Sequence, residues 1–241
     1  MKVGSKVIFL SNDANGFGSA ISDALQPNPD SSLQRSVSCF DLSLEGYGIK
    51  DQKASGKIVH FIDPQGSIQV SILLLQKYEP PIAACAVNEV LQSIIIGENS
   101  FDLPTVILPF IVSAQKINWE MTHSTLTDQK VTIYGAQIGN TTDFTQTMIS
   151  GIPSPPPSLP ISCESLACLL QLVRVLKLPT VVLIGSSSQP ERTAEDDLLA
   201  LYEMGAFLAN HSGLRFSTGE IRLNLQEKTR GSLEAWRALY G

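Results

Sequence analysis

Six apolar runs recur along this chain: KVIFL (6–10), KIVHFI (57–62), SIQVSILLL (67–75), TVILPFIV (105–112), VTIYGAQIG (131–139) and TVVLIG (180–185). They are rich in valine and isoleucine, and many lack strict alternation of polar and apolar residues. A strand with one wet face alternates; a strand covered on both faces does not need to. These runs therefore predict a sheet buried between two layers, and whatever lies between them must supply the cover.

The intervening segments read as helices. PPIAACAVNEVLQSIII (80–96) opens on Pro80 and Pro81, which suit a first helical turn, and carries apolar side chains at helical spacing. In SCESLACLLQLVRVLKLP (162–179), Leu166, Leu169, Leu170, Val173 and Leu176 form a broad stripe that predicts a largely buried helix stopped at Pro179. A third helix follows Thr193, with Asp196 three residues on as a capping box. Glu195, Asp196 and Asp197 sit where the helix dipole favours negative charge, and Gly213 is the expected stop. Strands alternating with helices over short links imply a layered α/β fold around a mostly parallel or mixed central sheet.

Domain organisation follows from what can stand alone. GIPSPPPSLP (151–160) holds five prolines, which fix an extended, semi-rigid course. The helix after it is too apolar to stand away from the strands before it, so the segment is read as a connector inside one domain. The expected division is a single domain over 1–227 and a C-terminal tail over 228–241. PNPDSSLQRS (27–36) reads as an exposed loop.

A net charge of -6 argues against a nucleic-acid or anionic-membrane partner, either of which needs a concentrated positive field. The first apolar run, 7–10, is far too short for a signal-peptide core or a bilayer span. Cysteines at 39, 85, 163 and 168 match no common zinc or redox spacing and are expected to be reduced, buried or half-buried thiols. That usage fits the cytosol or nucleus.

Catalytic chemistry finds little support. His60, His123 and His211 have no ligand-spaced partner and are read as structural. SNDANGFGSA (11–20) could cradle a phosphate ahead of a helix, but it lacks the dinucleotide glycine spacing and a P-loop lysine, so a tight turn is favoured. LIGSSSQPE (183–191) places Gly185 and three serines after a strand, where an anion could bind, although a solvated loop needs no ligand. There is no Gly-x-Ser-x-Gly elbow. Asp63, Asp102 and Asp143 read as turn residues closing local hydrogen bonds. No catalytic residue, cofactor or metal site is expected.

The last residues are different. Leu239, Tyr240 and Gly241 form a hydrophobic-tyrosine-any pattern ahead of a free carboxylate. Such a carboxylate can be captured by a lysine or by backbone amides, while the tyrosine ring and the leucine need an apolar pocket. SLEAWRAL (232–239) could form a helical turn or two, marginal in water. Alternatively, Trp236, Leu239 and Tyr240 dock on the protein's own core.

The tail pattern resembles those of proteasome activators and assembly factors. A second likeness lies in TMISGIPSPPPSLPISCESLACLLQLVRVLKLPTVVLIGSSS (147–188), followed by LLALYEMGAFLANHSGL (198–214). Its glycine-hydrophobic-proline lead, apolar helix and PTVVLIG strand are similar to the proteasome assembling chaperone family. The tail is closest in kind to that of the first subunit of the family's heterodimer. The likeness covers about the last third of the chain; residues 153–160 and the serine loop after Gly185 depart from the family pattern.

That resemblance implies a non-catalytic fold similar to nucleoside phosphorylases. It implies a second, related assembly-chaperone subunit and proteasome α-subunits as partners, with Leu239, Tyr240 and Gly241 entering a pocket of the α-ring. The competing readings are a nucleoside phosphorylase or hydrolase using the serine loop, and a plain dimerisation scaffold.

Overall fold

Val7, Ile8, Phe9 and Leu10 are all buried, and they turn alternately to two different cores. They belong to β1 (Lys6–Ser11), the middle strand of the sheet. The computed structural model describes residues 1–12, 16–97, 103–112, 131–156, 164–187, 194–219 and 221. In chain order the elements after β1 are α1 (Phe17–Ala24), β2 (Leu25–Pro27), β3 (Gln34–Ser43), a 3-10 turn (Glu45–Tyr47), β4 (Lys53–Ile62), β5 (Ile68–Leu75) and α2 (Ile82–Gly97). There follow β6 (Thr105–Val112), β7 (Val131–Ile138), α3 (Asp143–Ile149), α4 (Glu164–Val175), β8 (Thr180–Ser187), α5 (Ala194–Ser212) and β9 (Leu214–Phe216).

Seven strands form one mixed sheet in the order β3-β4-β5-β1-β6-β8-β7. The inner pairs β5/β1, β1/β6 and β6/β8 are parallel, while β3/β4, β4/β5 and β7/β8 are antiparallel. Period-two alternation sends Val7, Phe9, Val106, Leu108, Val182 and Ile184 to one core, beneath α2 and α4. Ile8, Leu10, Ile107, Val181 and Leu183 go to the other, beneath α1, α3 and α5. All six apolar runs of the sequence are strands in this sheet, and the result is a layered α/β fold.

Helix ends follow local chemistry. Thr142 caps α3: its hydroxyl accepts from the Thr145 amide at 3.1 Å, and the Thr145 hydroxyl accepts from the Thr142 amide at 3.0 Å. Helix α4 ends before Pro179: Leu178 N–H donates to Val173 C=O and Lys177 N–H to Arg174 C=O, with Lys177 left-handed at φ 54. This is the pairing of a Schellman end. Gly213 at φ 70 closes α5, as expected from sequence. Thr193, the expected cap of α5, lies outside the described residues, as does the side chain of Asp196.

The proline-rich connector has a structural task. Helix α3 lies over one face of the sheet and α4 over the other, and the first residues of the connector, 151–153, run beside the β7 edge. There the Pro153 carbonyl accepts from the Gly135 amide at 2.9 Å, occupying a donor of that edge strand.

Three sequence expectations are corrected. Residues 27–36 are not one loop: Pro27 ends β2 and 34–36 begin β3. The serine loop starts later than expected, since Ser186 and Ser187 are part of β8 and pair with Thr132 and Val131. Helix α4 is only half-buried: Leu169 and Val173 are covered, Leu166, Leu170 and Leu176 are partly open, and Val175 is 75% exposed. It packs on α2 and near the β7 edge rather than across the sheet centre, so one side of its apolar stripe meets no cover among the described residues.

Candidate functional site

The incomplete cover over α4 creates a shallow groove between α2 and α4. Ala84, Cys85 and Asn88 line it from α2, Ala167, Cys168, Gln171 and Leu172 from α4, and Tyr47 from the 3-10 turn. Its volume is about 530 Å³. Small side chains, Ala84 and Ala167, leave the space; the amides of Asn88 and Gln171 and the Tyr47 hydroxyl are the polar groups among the lining residues.

Tyr47 is held in place from α2. Asn88 Nδ2 donates to its hydroxyl at 2.8 Å, and that hydroxyl donates to Glu89 Oε2 at 3.2 Å. Burial pushes the phenol above its usual value, Glu89 adds to the rise, and the Asn88 bond opposes it. The ring therefore stays a neutral donor at physiological pH. Among these eight lining residues there is no carboxylate, histidine or cation, so the groove suits an apolar side chain with a polar edge. On the same helical layer, Ile96 at 76% and Val175 at 75% exposure also point outward.

The other candidates resolve one by one. His60 shares a hydrogen bond of 2.9 Å with Ser71 Oγ, which also accepts the Gly4 amide; burial lowers its proton affinity. His211 is bonded through Nδ1 to the Phe207 carbonyl at 2.9 Å and stacks on the Phe207 ring. Both are structural. Asp63 closes its turn as expected, Oδ1 accepting from the amides of Gln65 and Ser67 and Oδ2 from Gln69 Nε2. Asp143 is the first residue of α3, directly after its cap Thr142.

Ahead of α1, Gly16 is left-handed, and a Cβ at Gly18 would stand 2.3 Å from the Ser11 carbonyl oxygen. Close packing of helix on strand therefore accounts for Gly18. Of the thiols, Cys85 and Cys168 are half-buried in the groove, but Cys39 is exposed, contrary to expectation, because its strand is the sheet edge. His123, Asp102, Cys163 and Ser188 lie outside the described residues, and so do Leu239, Tyr240 and Gly241. The groove itself was missed from sequence; the signal was an apolar stripe on α4 wider than one packing partner can cover.

Among the described residues no three His, Cys, Asp or Glu gather to hold a metal. Nor is any helix of the described residues long and apolar enough to cross a membrane.

The fold is shared with several solved structures. The archaeal homologue of proteasome-assembly chaperone PbaA from Pyrococcus furiosus superposes with a TM-score of 0.53 at 14% identity, covering 97% of this chain and 92% of PbaA. PbaB of the same organism, an archaeal proteasome activator, gives 0.50 at 12% identity, covering 99% and 95%. A Mycobacterium tuberculosis protein of unknown function gives 0.54 at 11% identity, covering 97% and 79%. At these identities the likeness is one of fold. No curated protein matches the sequence. The model of the family described as "Domain of unknown function (DUF7894)" matches residues 1–241, and the chain belongs to that family.

Proposed function

We propose that this protein is a non-catalytic assembly chaperone of the proteasome core particle. It pairs with a related subunit and engages the α-ring through its folded body and its last residues. The observation that carries this reading is the end-to-end likeness of fold to PbaA, a homologue of proteasome-assembly chaperone, with nearly the whole of both chains covered. Two features support it. The α2/α4 groove is apolar and lacks acid, base or cation among its lining residues, which favours docking over catalysis. Leu239, Tyr240 and Gly241 have the chemistry of a tail that binds in a cleft by its carboxylate and ring.

On this reading the domain, 1–227, provides a broad and weak surface, and the tail, 228–241, adds a tethered second contact. Tethering raises the effective concentration of the second site to about millimolar, so two weak contacts act as one strong one. The preference is then for assembled or assembling rings over isolated subunits. The site of action is the cytosol or nucleus, where core particles are built.

Purifying the tagged full-length protein from its own cells and identifying what accompanies it tests the proposal. Proteasome α-subunits together with a second chaperone-like chain are the expected result. An unrelated complex, or no α-subunit above the level of an untagged control, would overturn it.

A further inference from the structure

The two edges of the sheet are finished differently. At the β7 edge, the Gly135 amide is taken by the Pro153 carbonyl. At the other edge, β3 pairs with β4 over its whole length without a register break, from Gln34 opposite Ile62 to Ser43 opposite Lys53. None of its backbone groups bonds to a described element other than β4. The strand has ten residues, seven of them exposed, and carries no proline, lysine or bulge. Long, unbroken edges without such protection are templates for another strand.

The sequence of β3 reads QRSVSCFDLS, and it is self-complementary. If it meets a second β3 antiparallel with Ser38 opposite Ser38, Arg35 falls opposite Asp41 at both ends. Val37 then falls opposite Cys39, again twice. Arg35, Val37, Cys39 and Asp41 are two residues apart in turn, so they share one face of the strand. On that face Val37 is 48% exposed and Cys39 is exposed. Arg35 is half-buried: Nη2 donates to the Ser22 carbonyl at 3.3 Å and Nε is buried without a partner, so a second chain would meet the outer end of the guanidinium. A one-residue slip would put Arg35 opposite Phe40 or Leu42 and lose both ion pairs, so the charges fix the register.

We propose that β3 is a homotypic docking edge, at which a second copy of this chain adds its own β3 antiparallel about Ser38. The arrangement is isologous, so each contact occurs twice and the assembly closes as a dimer. It uses neither the α2/α4 groove nor the tail, and it does not rest on the proteasome reading.

Sedimentation velocity on the full chain tests this with Asp41→Arg, an exposed position. The wild type is expected to show a concentration-dependent monomer–dimer equilibrium. Asp41→Arg, which sets two arginines opposite each other twice, is expected to weaken it about tenfold. Combining Asp41→Arg with Arg35→Asp restores opposite charges and the dimer.

Because Arg35 also bonds within its own chain, cross-linking gives an independent reading. In a Cys39→Ser background, Ser38→Cys places two thiols across the two-fold at about 5 Å between Cα atoms, within disulfide reach. Ser36→Cys places them four residues out of step, about 13 Å apart along the strands. Oxidation is expected to give covalent dimer for Ser38→Cys and not for Ser36→Cys. A monomer at all concentrations, a dimer indifferent to Asp41→Arg, or equal cross-linking at both positions would overturn the proposal.

Discussion

Ile152 occupies the space in front of Gly135: a Cβ at Gly135 would stand 2.2 Å from Ile152 Cδ1. Gly135 lies on the β7 edge strand and Ile152 at the head of the proline-rich connector, one residue before the carbonyl that bonds Gly135. Connector and edge are thus packed and hydrogen-bonded at one point. Gly135→Ala is expected to destabilise the fold by about 1–3 kcal/mol, read by chemical denaturation. Adding Ile152→Val should recover part of the loss, since it removes the clashing methyl.

Lys177 ends α4 in a left-handed conformation that costs a non-glycine residue about 1–2 kcal/mol. Its side chain is exposed, so little packing is lost by removing it. Lys177→Gly should raise stability by about 0.5–1 kcal/mol once the greater freedom of glycine in the unfolded chain is allowed for. An increase in the denaturation midpoint with an unchanged slope is the expected observation.

His60 sets a pH dependence of known sign. Burial lowers its folded-state value below the ordinary histidine value of 6.5, so the unfolded chain takes up a proton at higher pH than the native one. The stability held above pH 6.5 is therefore lost as pH falls through the window between 6.5 and the lowered folded value. Unfolding free energies at about pH 7.5 and about pH 5.5 should differ more in wild type than in His60→Gln.

The groove can be tested without unfolding the protein. Ala167 is half-buried on its wall, and Ala167→Arg would place a cation where the lining is apolar. Stability should change by less than about 1 kcal/mol. Recovery of co-purifying partner from cell extract should fall strongly; unchanged recovery would exclude the groove from partner docking.

The legible parts of the fold were those with buried pattern. β1, β6 and β8 sit mid-sheet, covered on both faces, and their valine and isoleucine runs announced them. β3 was hidden because an edge strand that is mostly exposed needs little apolar sequence: of its residues only Phe40 is buried, and Leu42 packs beside the core. β2 and β9 have three residues each, too few for any periodicity to register. Helix α3 was missed for a similar reason, being a single short helix fixed by the Thr142–Thr145 cap rather than by a long stripe. The groove was illegible because sequence shows how wide an apolar face is and not how much of it a neighbour covers.

The most direct measurement of the chaperone reading compares the full chain with one lacking Leu239, Tyr240 and Gly241 for binding to purified proteasome core particles. The full chain should bind, and the truncated chain should bind at least about tenfold more weakly with an unchanged unfolding transition. Equal affinity of the two would contradict a role for the tail, and failure of the full chain to bind would contradict the reading as a whole.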